Sequence, residues 1–218
     1  FKNDEKERVI QSFFKQEDTA INFLDNIKKF NITDEGQKLD VIERYFSNKK
    51  NQDFDKLLTI LSSDQIGNLK YRVDLICDTL KKIYPNSTNK TAENLSKLGN
   101  DLYPNIEDLR IKLFKQAIDK ELINKDNIQF LKLDNIKSSD LLLGFLTHAQ
   151  SNISEIYELD ILKLTKGRCH SRYKSLSRLL QDATPENVFS EEGMKLIPGI
   201  FGNQDNKFKA LDILSYFD

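Results

Sequence analysis

The sequence predicts an all-α fold, a multi-helix bundle with a second packed helical layer. Apolar residues recur three and four positions apart along almost the whole chain, the period of a single helix face. The sustained alternation that marks a half-buried strand is hard to find. Only eight Gly and four Pro occur in 218 residues, which favours helices joined by short polar turns over a strand-rich fold.

The helical registers follow in order. Val9, Ile10, Phe13 and Phe14 form the first, and Ile21, Leu24 and Ile27 the second. Leu39, Ile42 and Phe46 come next, then Val73, Ile76, Leu80 and Ile83, then Ile106, Leu109 and Leu113. Helix starts are signalled where a capping side chain precedes acids that suit the positive end of the helix dipole. Thr33 precedes Asp34 and Glu35, Ser63 precedes Asp64, and Ser139 precedes Asp140. Thr184-Pro185-Glu186 is a cap followed by proline at the first helical position.

Two polar breaks divide the chain, Tyr84 to Lys90 and Gly99 to Pro104. They suggest an N-terminal helical bundle over residues 1–100 and a C-terminal helical layer over residues 101–218. No fixed-period repeat is visible, so a solenoid is not expected. Near the end, Ile197 to Gly202 reads as a rigid apolar turn before a last short helix from Phe208 to Phe217.

Composition narrows the function. Apolar residues make 39% and charged residues 31%, and the fourteen Phe and seven Tyr argue against disorder. Lys and Arg number 33 against 34 Asp and Glu, a net charge of −1. No chain-wide basic field exists, and nucleic acid is not an expected partner. Cys77 and Cys169 give no disulfide framework and read as free thiols of a reducing compartment. No apolar run approaches the roughly 20 residues that span a membrane. The stretch begins at Phe1 without a cationic-then-apolar leader, so any targeting segment is expected outside it.

The segment Lys166-Gly167-Arg168-Cys169-His170-Ser171-Arg172-Tyr173-Lys174 is the most chemically varied. Adjacent Cys169 and His170 point about 100° apart on a helix and cannot pair as nucleophile and base. His148 would have to serve Cys169 from elsewhere in the fold. With two Cys and two His in the chain and no Cys-x-x-Cys or His-x-x-x-His pair, no metal site is expected. Gly167 alone does not make a phosphate loop, and no cofactor is implied. No hydrolase, transferase or metal-enzyme signature emerges. What stands out is charge, because Lys163, Lys166, Arg168, Arg172, Lys174 and Arg178 fall in an interval free of acids between Asp160 and Asp182. Such a stretch, residues 163–178, suits a phosphoinositide headgroup or an acidic protein partner, as a binding module without catalysis would.

Four partial motifs then occur in order. They are Lys112-Leu113, Ser139-Asp140-Leu141-Leu142-Leu143, the Asn-, Ile- and Tyr-bearing segment from Ser151 to Ile161, and Gly167 followed by Tyr173 and Ser175-Leu176-Ser177. Together, over about residues 112–180, they resemble the Vps-nine domain family, the guanine-nucleotide exchange modules of endosomal Rab GTPases. The resemblance implies an acidic finger that reaches the nucleotide-binding lysine of the GTPase, and a tyrosine that helps hold the switch regions open. Carried onto this chain, the finger is Asp140 and the tyrosine is Tyr173. Ser139, Ser177, Arg168, Arg172 and Lys174 would face the partner. Ser139 stands where the family has one of two acids, Leu143 where it has proline, and Leu176 at its threonine. Divergence of this kind suits a bacterial effector. The resemblance thus implies a Rab GTPase partner and a cytoplasmic site, either host cytosol or the endosomal surface, while a phosphoinositide membrane surface is what the basic stretch itself would suit.

Overall fold

A computed structural model describes residues 2–156, 163–165, 168 and 191, with residues 2–7 described by their backbone alone. Among them are eight α-helices: α1 Lys2–Phe14, α2 Ala20–Lys29, α3 Glu35–Ser47, α4 Phe54–Leu61, α5 Val73–Ile83, α6 Asn89–Leu102, α7 Glu107–Asp119 and α8 Ser139–Asn152. Short 3-10 segments cover Lys49–Asn51, Asp64–Tyr71 and Ile128–Phe130, and the described residues contain no strand. The all-α class is therefore correct. The chain divides into two compact units, Phe1–Lys132 and Leu133–Asp218. Helices α1 to α7 belong to the first and α8 to the second.

Within the first unit, helices pack on partners two places away in sequence. α1 packs on α3, α3 on α5 and α5 on α7, while α2 packs on α4 and α4 on α6. Odd and even helices form two rows, and α6 meets α7 to join them. The sequence shows no period because helices range from 8 to 14 residues and an 8-residue 3-10 segment interrupts them. Gly67 sits inside that segment at φ +61°, a left-handed conformation that glycine adopts without penalty.

Caps account for where the helices begin. Thr19 accepts from the Asn22 amide at 3.1 Å, and Asp53 accepts from the Lys56 amide at 3.0 Å. At α3 the cap is Asp34, which accepts from Gln37, and not the expected Thr33. The break at residues 84–90 ends in a capping box, with Thr88 and Thr91 bonding reciprocally at the start of α6. The second break begins later than expected, because α6 continues through Gly99 to Leu102. α7 then packs back on α6 inside the first unit.

The registers of α1, α2 and α7 also differ from expectation, and in α1 Phe14 is buried whereas Val9 is 65% and Phe13 36% exposed. The buried face of α2 is Ala20, Phe23 and Ile27, with Ile21 66% exposed and Leu24 half-buried. In α7 the buried set is Arg110, Ile111, Leu113, Phe114, Ala117 and Ile118, while Ile106 precedes the helix and is 41% exposed. In α2 and α7 two apolar stripes compete, and contact with the neighbouring helices selects one. The registers of α3 and α5 are as expected, with Ile42 and Phe46, and Val73, Ile76 and Leu80, buried.

Two asparagines hold the irregular segments. Asn51 is fully buried; its amide donates to the carbonyls of Gln16 and Tyr45, and its oxygen accepts from the Asp18 amide and the Lys56 ammonium. Asn127 donates to the carbonyls of Thr88 and Leu122 and accepts from the Asn124 amide. Each satisfies buried main-chain groups that a loop would otherwise leave unpaired. Beside Asn51, the rings of Phe14, Phe23, Tyr45 and Phe46 form a contiguous chain with centroids 4.5–5.4 Å apart, the edge-to-face and tilted spacing that aromatic quadrupoles favour.

Candidate functional site

Ser139, Asp140 and Arg168, the partner-facing candidates of known placement, lie in the second unit. The chain enters it through the turn Leu133-Asp134-Asn135-Ile136, closed by the Ile136 amide on the Leu133 carbonyl at 3.0 Å. Asp-Asn is an ordinary turn pair. Ser138 follows as the cap of α8, its hydroxyl accepting from the Leu141 amide at 3.3 Å. The expected cap, Ser139, is instead the first residue of the helix. Leu142, Leu143, Gly144, Phe145, Leu146 and Thr147 are all buried, so α8 is a core helix over most of its circumference. Ser139 and Asp140 are exposed at its first turn.

Thr165 and Arg168 bond each other and, through Arg168, the turn at 133–136. The Arg168 amide donates to the Thr165 carbonyl at 3.0 Å, and the Thr165 hydroxyl donates to the Arg168 carbonyl at 2.8 Å. The Arg168 guanidinium reaches back along the chain. Its Nη1 donates to the Ile136 carbonyl at 2.7 Å and its Nη2 to the Leu133 carbonyl at 2.8 Å. The planar fork of arginine fits two such acceptors at once, which a lysine ammonium does not. Leu133 and Ile136 are each 1% exposed, as is Thr165. Arg168, expected to face a partner, directs two donors into its own unit.

The other candidates are scattered or lie beyond description. Tyr173, Arg172, Lys174 and Ser177 fall outside the described residues, as do Cys169, His170, Arg178, Thr184-Pro185, the expected turn at 197–202 and the expected helix at 208–217. Lys163 is exposed and His148 is half-buried on α8. Lys112 is exposed and Leu113 buried on α7, in the first unit. Cys77 is buried, and burial pushes its thiol up to about 12, with the charge of Asp78 adding to the shift. A thiol held protonated in this way is a poor nucleophile. Among the described residues no group of three or more His, Cys, Asp or Glu is placed to hold a metal ion, and no helix is long and apolar enough to cross a membrane.

Reasoning from sequence missed Ser138, Thr165 and the carbonyls that Arg168 holds. Ser138 was within reach, since Ser138-Ser139-Asp140 offers two successive caps. The Arg168 contacts span 32 and 35 residues, and no local pattern announces them. No family model, curated protein or solved structure matches this chain.

Proposed function

We propose that this chain is an all-helical guanine-nucleotide exchange factor for a small GTPase of the Rab class, acting through the carboxylate of Asp140. The observation that carries the reading is the setting of Asp140. It is exposed on the first turn of a helix whose next turns are buried, and a separate residue, Ser138, supplies the cap. A carboxylate held on a core helix is presented at a defined height and angle, which a loop would not provide.

The chemistry needs no covalent step. In a nucleotide-bound GTPase, the magnesium-bound phosphates pair with the nucleotide-binding lysine. A carboxylate from the exchanger competes for that lysine. At 4 Å and a surface-like dielectric, the attraction is on the order of 4 kcal/mol before desolvation. The exchanger binds the nucleotide-free GTPase more tightly than the loaded one, and this difference drives release. Tyr173 would act beside Asp140 on the switch regions, and Ser139 and Ser177 would line the contact. The reading implies action at a cytoplasmic face, host cytosol or endosomal surface for a secreted effector.

The basic stretch 163–178 supports a lipid-binding module less well, because Arg168 turns two donors toward Leu133 and Ile136. The test is release of a fluorescent guanine nucleotide from a panel of Rab GTPases. Acceleration by the wild-type chain, lost in Asp140→Ala, is the expected result. No acceleration of any panel member would sink the reading.

A further inference from the structure

We propose that Arg168 is a positioning residue, a clasp that fixes the segment delivering Ser138 and Asp140 to the start of α8. Its consequence for nucleotide release rests on the exchange reading, whereas its consequence for the start of α8 does not.

The geometry points one way along the chain. Leu133 and Ile136 are the two ends of one turn, and Arg168 bonds both of their carbonyls. The Leu133 carbonyl accepts twice, from the Ile136 amide and from Arg168. Opening that turn would therefore break three hydrogen bonds together. Two residues beyond Ile136 stands Ser138, and two beyond that Asp140. A shift of the turn moves the cap, and a displaced cap frays the first turn of α8, where Asp140 sits. Burial of Leu133, Ile136 and Thr165 keeps water from replacing the guanidinium. The clasp is held from its own side, because Thr165 and Arg168 bond each other's main chain. Charge-assisted bonds to carbonyls are also stronger than neutral ones. Arginine at 168 is thus a structural hand, and its charge is turned inward.

The test uses the full chain as Arg168→Ala, Arg168→Lys and Thr165→Val, read by amide hydrogen exchange and by nucleotide release. In Arg168→Ala the amides of Ile136, Leu141 and Leu142 should exchange on the order of tenfold faster or more, while amides of α5 and α7 keep their protection. Arg168→Lys, which retains the charge but not the fork, should fall between the two. Thr165→Val should loosen the same amides through Arg168. Unchanged protection at Ile136 and Leu141, or a loss spread evenly over the second unit, would overturn the clasp. The release assay separates the two ideas. Where the wild-type chain is active, Arg168→Ala should lower the maximal rate with little change in the concentration giving half of it. If wild type is inactive but the local amides respond as stated, the clasp stands and the exchange reading falls.

Discussion

The phenol of Tyr45 donates its proton to the main-chain carbonyl of Asp18 at 2.6 Å, from a side chain with 0% of its surface exposed. Asp18 lies in the connector between α1 and α2, and its amide is held in turn by Asn51 at 3.1 Å. One connector residue is thus gripped at both main-chain groups by two buried side chains from the α3 region. The aromatic chain from Phe14 to Phe46 packs around them.

Removing the phenol oxygen tests the weaker grip. Tyr45→Phe keeps the ring and its packing and leaves one carbonyl without a donor, so it should cost about 1 kcal/mol. Asn51→Ala removes bonds to Gln16, Asp18 and Tyr45 together and should cost at least about 2 kcal/mol. Urea unfolding of both variants measures the difference. An Asn51→Ala variant no less stable than Tyr45→Phe would show that the asparagine does not organise the connector.

Alkaline pH should destabilise the fold. Burial pushes the phenols of Tyr45 and Tyr103 above their ordinary 10.0, and pushes the Cys77 thiol from 9.0 up to about 12. The sign follows from proton binding. Above pH 9 the unfolded chain releases these protons while the folded chain keeps them, so stability is full below pH 9 and falls as pH rises from there toward 12. Urea unfolding between pH 7 and 11 should show that decline, and Cys77→Ala and Tyr45→Phe should each reduce its slope. On the acid side, Arg72 holds Asp74 down to about 2. That pair is half exposed, so its loss between pH 3.8 and 2 should matter little.

These particulars show which parts of the molecule local pattern encodes. Ile42 with Phe46, and Val73 with Ile76 and Leu80, read directly as core because each helix offers one apolar stripe. In α2 the stripes through Ile21 and through Phe23 are equally periodic, and only the helix packed against it decides between them. Asn51 and Asn127 are opaque to pattern, since asparagine between helices reads as a turn residue, whether or not it is a buried anchor. The two-row stacking is hidden for a similar reason. It is a relation between helices of unequal length, not a repeat of residues. At the candidate site, the placement of Asp140 at a helix start was legible from Ser139-Asp140 and the leucines after it. The inward turn of Arg168 was not, because a cation in a basic run looks solvated until its acceptors are known.

Gly99 offers a gain in stability. It lies inside α6, where glycine costs roughly 0.5–1 kcal/mol relative to alanine, and it is buried against α7. A Cβ there would lie 3.5 Å from Arg110 Cγ and 3.6 Å from side-chain atoms of Leu113 and Phe114. Those are ordinary contact distances, so the added methyl fits. Gly99→Ala should therefore stabilise the protein by about 0.5–1 kcal/mol, seen as a raised urea midpoint with an unchanged slope. A lowered midpoint would mean that α6 and α7 are closer than these distances allow.

Asp140 separates function from fold. As an exposed acid on the first turn of α8, it should contribute only about 0.3–1 kcal/mol through the helix dipole. Asp140→Ala should then unfold at nearly the wild-type urea concentration. Ser138→Ala removes the cap itself and should cost about 1 kcal/mol, typical of a lost serine cap. The two variants thus rank in opposite orders for two measurements. Stability should fall more in Ser138→Ala, whereas nucleotide release should fall more in Asp140→Ala. Asp140→Asn keeps the size and the hydrogen-bonding oxygen but removes the charge. It should match Asp140→Ala in release if, as proposed, the carboxylate acts on the GTPase lysine by charge. If Asp140→Asn retained wild-type release, the carboxylate would not be the acting group. If instead Asp140→Ala lost stability as strongly as Ser138→Ala, the acid would belong to the fold, and the exchange mechanism would have no residue to carry it.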